Sequence, residues 1–102
     1  LRQFDVYRNP SPESRKIAPF LVMLSSHYLH DLSEIIVAPL VNDASRTVGD
    51  LELLVEINDQ GLTLVVSELF SVTTTGLRSP GGNLGDREDD IRRAIERLFG
   101  GF

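Results

Sequence analysis

The 102-residue chain has no cysteine and no tryptophan, a single methionine and a single lysine, Lys16. Without cysteine there can be no disulfide framework, no thiolate metal ligand and no thiol nucleophile. That composition is compatible with a reducing cytoplasm, the expected location. No apolar run approaches the roughly 18 residues of a membrane-spanning helix, so no membrane segment is expected. Residues 1–3 lead straight into a strand pattern, without the charged and apolar regions of a signal peptide. A net charge of −5 disfavours a direct nucleic-acid partner, because phosphates are held by clustered Lys and Arg. What is present is ordinary for a globular chain, 41% hydrophobic and 25% charged. Residues 1–102 are therefore expected to form a single domain with one core.

Alternation and turn residues divide the chain into short strands. Residues 3–7 place Phe4 and Val6 on one face of a half-buried strand. Residues 8–16 hold Pro10, Ser11, Pro12 and Ser14 and read as a polar loop. The apolar run 17–24 reads as a central strand with Pro19 near its start. Residues 35–41 form another, in which Pro39 implies an edge or a bulge. A polar segment, 42–50, has room for one helical turn. Residues 51–57 and 62–66 flank Asn58-Asp59-Gln60-Gly61, a hairpin loop with Gly61 expected in the left-handed region. The β-branched residues 71–75 fit a further strand, and the glycine-rich stretch 76–85 reads as a long surface loop. Five or six strands followed by one helix imply an antiparallel sheet with the helix against it.

Few residues suggest chemistry. Ser26, His27, His30 and Asp31 lie close together, but their spacing fits no metal motif, and polar residues are normal at a strand end. Glu88, Asp89 and Asp90 are adjacent on a helix, so their side chains diverge and cannot share a substrate. Gly81-Gly82-Asn83-Leu84-Gly85 lacks the Gly-Lys-Ser/Thr ending of a phosphate loop and runs into three carboxylates. No catalytic residue, metal or cofactor is expected, and the chain is not expected to be an enzyme.

The last seventeen residues are the most informative. Ile91, Ala94, Ile95, Leu98 and Phe99 recur at helical spacing and form one apolar stripe. Asp86 is the expected N-cap, and Glu88, Asp89 and Asp90 occupy the first turn, where the helix dipole favours negative charge. Arg92, Arg93 and Arg97 follow, with Glu88–Arg92 and Asp89–Arg93 as i,i+4 pairs; this charge run reads as a solvated helix face. Gly100 and Gly101 stop the helix, and Phe102 stands alone after them.

This C-terminus resembles that of the CcdB family, the gyrase-poisoning toxins of bacterial toxin–antitoxin pairs. The resemblance is carried by Arg87-Glu88-Asp89-Asp90-Ile91, Ala94-Ile95, Leu98-Phe99 and Gly100-Gly101-Phe102. It extends to Gln3-Phe4-Asp5-Val6-Tyr7, Glu13-Ser14-Arg15, Val37-Ala38-Pro39-Leu40-Val41 and Leu69-Phe70-Ser71-Val72, nearly the whole chain in register. It implies an α+β fold that is mainly antiparallel β, a small SH3-like barrel of the CcdB/MazF type with a C-terminal α-helix, assembled as a homodimer. It further implies a toxin that binds the gyrase A subunit, traps the DNA-cleaved complex and is neutralised by a cognate antitoxin. By the same resemblance the gyrase-binding residues are Gly100, Gly101, Phe102, Glu96, Ser26, His27 and Tyr28. The antitoxin is expected on Arg8, Glu13, Ser14 and Arg15.

The chain also departs from the family. The family's penultimate-turn Trp falls on Gly100, its helix Asn on Glu96, and its Ser-Asp pair becomes Ser26-His27. A stacked aromatic can dominate an interface, so these departures open an alternative: a degenerate relative that binds antitoxin without poisoning gyrase. A second alternative is a ribonuclease like the MazF toxins, which share the general fold. It would need a basic groove, for which the sequence offers Arg8, Arg15, Arg46 and Arg78 but no evident stripe.

Overall fold

The computed structural model describes residues 2–26, 33–42, 49–78 and 80–100. Seven strands precede one helix among these residues. They are β1 (Asp5–Arg8), β2 (Phe20–Met23), β3 (Glu34–Val41), β4 (Glu52–Ile57), β5 (Gln60–Val65), β6 (Phe70–Thr73) and β7 (Gly82–Asn83), followed by α1 (Glu88–Gly100). Every pairing is antiparallel, in the order β4-β5-β3-β2-β1-β7, with β6 added on β3. The sheet curls into a half-barrel with α1 against it.

The long strand β3 organises this curl. Its residues Glu34 to Val37 pair with β6, while Leu40 and Val41 pair with β5 along the same edge. Pro39 lies at this change of partner, opposite Leu21 of β2. A proline is tolerated in this central, buried position because neither β6 nor β5 offers it a ladder bond on that edge. The expectation of an edge strand is thereby corrected.

The two-residue period of β1, β2 and β3 sorts side chains onto two buried faces. Val6, Val22, Ala38 and Leu40 join Phe4, Leu62, Leu64, Val66 and the helix residues Ile91 and Ala94 in the main core. Tyr7, Leu21, Met23, Ile35 and Val37 point the other way and form a second cluster, flanked by Val72 and Leu77. Such continuous apolar runs follow from burial on both faces of one sheet.

Local chemistry moves several boundaries from where the sequence places them. The β4–β5 hairpin turns on Asn58 and Asp59, both at positive φ (51° and 65°), with Ile57 paired to Gln60. This is the two-residue turn that matches strand twist; Gly61 pairs with Glu56 inside β5 and is not the left-handed residue. The glycine-rich segment is tied down by β7, which pairs with β1 and buries Leu84 beside it. Asp86 lies inside a 3-10 turn, Gly85–Arg87, and the α-helix proper begins at Glu88. The expected polar turn at 42–50 falls mostly outside the described residues.

Candidate functional surfaces at the helix end and the β1–β2 loop

Alongside the burial of Ile91 and Ala94, α1 makes polar contacts with the N-terminal turn. Phe4 takes φ 71°, an unusual conformation for an aromatic residue, yet its backbone N–H reaches the Met23 carbonyl (2.7 Å) and its carbonyl accepts from Leu84 (2.9 Å). Its buried ring lies 5.6 Å from the Arg92 guanidinium, within cation–π range. Arg92 also donates to Glu88 (2.7 Å) and to the Gln3 side chain (3.1 Å). Glu88–Arg92 thus forms as expected, whereas Arg93 approaches Asp90 (3.6 Å) and not Asp89. At the other edge Arg87 donates to the Leu54 carbonyl (2.9 Å) and Arg97 to Asp50 (2.6 Å).

Beneath this turn lies a buried polar network. The Asp5 carboxylate accepts from the Tyr7 hydroxyl (3.0 Å), the Asn83 side-chain amide (2.9 Å) and the Arg2 backbone N–H (2.9 Å). Asn83 also donates to the Gln3 carbonyl (3.1 Å) and accepts from the Gly85 N–H (2.7 Å), linking β1 to the start of the helical segment. Burial, reinforced by the hydrogen bond to Asp5 and by its charge, pushes the Tyr7 phenol well above its usual value. Both acid and phenol are buried and fully engaged, so they hold structure and present no reactive group to a ligand.

The burial of α1 falls off toward its C-terminal end. Ile91 and Ala94 are buried and Ile95 and Leu98 pack against the core, but Phe99 is 73% exposed. The apolar stripe therefore stops one residue short of the sequence expectation. Phe99, Ile95, Leu24, Ser25, Ile36 and Leu69 line an open, almost wholly apolar groove of about 310 Å³. Leu24 and Ser25 follow β2, Ile36 comes from β3, and Leu69 precedes β6, so the groove gathers the ends of four elements. The Ser25 hydroxyl accepts from the Ile36 N–H and closes its polar side.

Two of the residues expected at a gyrase contact adjoin this groove in sequence, Gly100 after Phe99 and Ser26 after Ser25. Gly100 is the exposed last residue of α1, Ser26 is half-buried, and Glu96 is exposed on the helix. His27, Tyr28, Gly101 and Phe102 lie outside the described residues, as do His30 and Asp31. Phe99 is the residue that sequence reasoning missed as a surface feature. Its periodicity fits the stripe, yet it lies on the open side of the groove.

A second cavity, polar and about 240 Å³, is lined by Arg8, Asn9, Pro10, Arg15, Gly76 and Arg78. Arg8 and Arg15, both expected at the antitoxin contact, thus come together with Arg78 from the far side of the sequence. Glu13 and Ser14 are exposed on the same loop but do not line the cavity. Among the described residues no group of acids and histidines could hold a metal, and no helix is long and apolar enough to cross a membrane.

A curled antiparallel half-barrel closed by a C-terminal helix is the architecture of the MazF-like toxins. An endoribonuclease solved with its cognate antitoxin, from a mycobacterial species, superposes with a TM-score of 0.81 at 13% identity, covering 98% of this chain and 95% of its own. An Mtb toxin gives 0.68 at 20% identity, over 81% of this chain and 96% of its own. The Mycobacterium tuberculosis toxin MazF-mt6 gives 0.69 at 19% identity, over 82% and 93%. Within that architecture the chain belongs to the CcdB family: the family model described as CcdB protein matches residues 3–101. No curated protein matches it by sequence. The family match and the shared architecture together support a toxin of a toxin–antitoxin system.

These similarities correct one expectation. The chain was expected not to be an enzyme, but the architecture it adopts is shared with an endoribonuclease, so the fold is no ground for excluding enzymatic activity.

Proposed function

We propose that the protein is the toxin of a type II toxin–antitoxin pair, that it engages the gyrase A subunit through the end of α1, and that a cognate antitoxin silences it. The observation that carries the target is Phe99. The family's indole position is Gly100 here, yet an aromatic ring stands exposed one residue earlier, on the rim of an apolar groove. Large aromatic groups that bury into a partner supply much of an interface's energy, commonly about 2 kcal/mol or more each. Gly100, the exposed last residue of α1, adjoins that ring, and Gly101, Ser26, His27, Tyr28, Glu96 and Phe102 complete the proposed contact.

In this reading the chain works as a homodimer, with two helix ends presented to the target together. The antitoxin covers the β1–β2 loop at Arg8, Glu13, Ser14 and Arg15, using a segment that orders on contact. The test is a DNA-cleavage assay with gyrase, ATP and supercoiled plasmid. Linear DNA that accumulates with the parent protein and not with Phe99→Ala supports the reading. No linear DNA from a folded parent protein rejects it.

A further inference from the structure

The cavity between the β1–β2 loop and the segment after β6, where the proposed antitoxin contact includes Arg8 and Arg15, holds a concentration of charge that the gyrase contact itself leaves unused. Three of the ten basic residues of an acidic chain line it, and all three are arginines. No carboxylate lines it among the described residues. Arg8 and Arg78 are exposed and form no ion pair with any described residue.

The site is built in advance. Arg15 is held by the Asn9 carbonyl (2.8 Å) and the Pro10 carbonyl (3.4 Å), which fixes the plane of its guanidinium. Asn9 is itself buried, donating to the Ala18 carbonyl (2.8 Å) and accepting from the Ser11 N–H (3.0 Å). The loop is therefore shaped by its own hydrogen bonds. Like charges gathered without a counter-ion repel one another, and an anion that enters relieves that repulsion.

We infer that this cleft is a phosphate-binding subsite, with Arg8, Arg15 and Arg78 as its ligands. A guanidinium presents paired N–H donors that match the oxygens of phosphate or carboxylate. Three of them outnumber what a single carboxylate can satisfy with two oxygens and one charge. A phosphate group carries more oxygens and, as a monoester, close to two negative charges, so it compensates the cluster better. The volume also leaves room for the sugar attached to a phosphate. The negative net charge elsewhere confines the attraction to this spot, which suits one or two phosphates and not a long duplex. The phosphate can come from a free nucleotide or from the terminal monoester of a single-stranded RNA, because an internal phosphodiester has only one charge and two free oxygens.

The test is an NMR titration of the full-length protein with inorganic phosphate, uridine monophosphate, a short 5′-phosphorylated single-stranded RNA and a glutamate-rich peptide. The phosphate probes are expected to shift the amides around Arg8, Arg15, Gly76 and Arg78, more weakly as salt is raised. Equal affinity for the nucleotide and the RNA marks a free nucleotide as the source; tighter RNA binding marks a strand. Arg8→Gln and Arg78→Gln, whose side chains make no described structural bond, should each weaken phosphate binding about tenfold while leaving the remaining spectrum unchanged. Phosphate shifts that persist undiminished in the double variant overturn the proposal. So does a cleft that binds the acidic peptide and ignores every phosphate probe. Neither result bears on gyrase cleavage, which is read separately through Phe99.

Discussion

Replacing Tyr7 by phenylalanine removes one oxygen and little else. The ring stays packed among Leu21, Met23, Ile35 and Val37, so no cavity opens. What disappears is the 3.0 Å hydrogen bond to the buried Asp5 carboxylate, which keeps only Asn83 and the Arg2 N–H. A hydrogen bond to a charged group is worth about 1.5–3 kcal/mol, and the carboxylate left behind cannot regain water. Tyr7→Phe should therefore cost about 2 kcal/mol at neutral pH. With a urea m-value of about 1–1.5 kcal/mol/M for a chain of this size, the midpoint falls by roughly 1.5 M. The phenol adds a pH signature. It stays protonated in the folded state well above pH 10, whereas in the unfolded chain it ionises near that value. Above about pH 10 the unfolded state thus binds fewer protons, and stability declines as pH rises. Urea melts across neutral and alkaline pH should show that decline in the parent and its reduction in Tyr7→Phe. A variant within about 0.5 kcal/mol of the parent at neutral pH, with an unchanged alkaline limb, would refute the account of this network.

Other substitutions test the packing and the turns. Ile91→Ala, at a fully buried helix position, should cost about 3–4 kcal/mol in chemical denaturation and loosen α1 from the sheet. Asp59→Gly places glycine at a residue held at φ 65° and should raise stability by about 0.5 kcal/mol, visible as a higher urea midpoint. Arg97→Gln breaks a short but largely exposed pair with Asp50 and should change the unfolding free energy, read from urea melts, by less than about 0.5 kcal/mol, because such pairs are screened by solvent.

The antiparallel sheet and the terminal helix are legible in the sequence because alternation in β1, β2 and β3 and the stripe through Ile91 and Ala94 report burial directly. Pro39 misleads, since its tolerance depends on β6 and β5 meeting along one edge of β3, a tertiary event with no local signature. Gly61 draws attention from Asn58 and Asp59, which accept the left-handed region because their short polar side chains bond locally. Phe99 obeys the helical period and is nevertheless exposed, because periodicity says which way a residue points and not whether another element fills the groove it faces. Arg78 stands far in sequence from Arg8 and Arg15; only the path of the segment after β6 makes them one cleft. The loop proposed for the antitoxin and the changed Trp position are visible from family resemblance, but the groove beside Gly100 is not.

The central claim is that an exposed aromatic at the end of α1 takes over the contact the family makes with its indole. It is tested most directly by gyrase-mediated cleavage of supercoiled plasmid, comparing the parent with Phe99→Ala at matched, folded concentrations. Because Phe99 is 73% exposed, its removal should leave the unfolding free energy within about 0.5 kcal/mol of the parent. Linear DNA that is abundant with the parent and reduced about 30-fold or more in the variant is the predicted result. Linear DNA of equal amount from both proteins contradicts it.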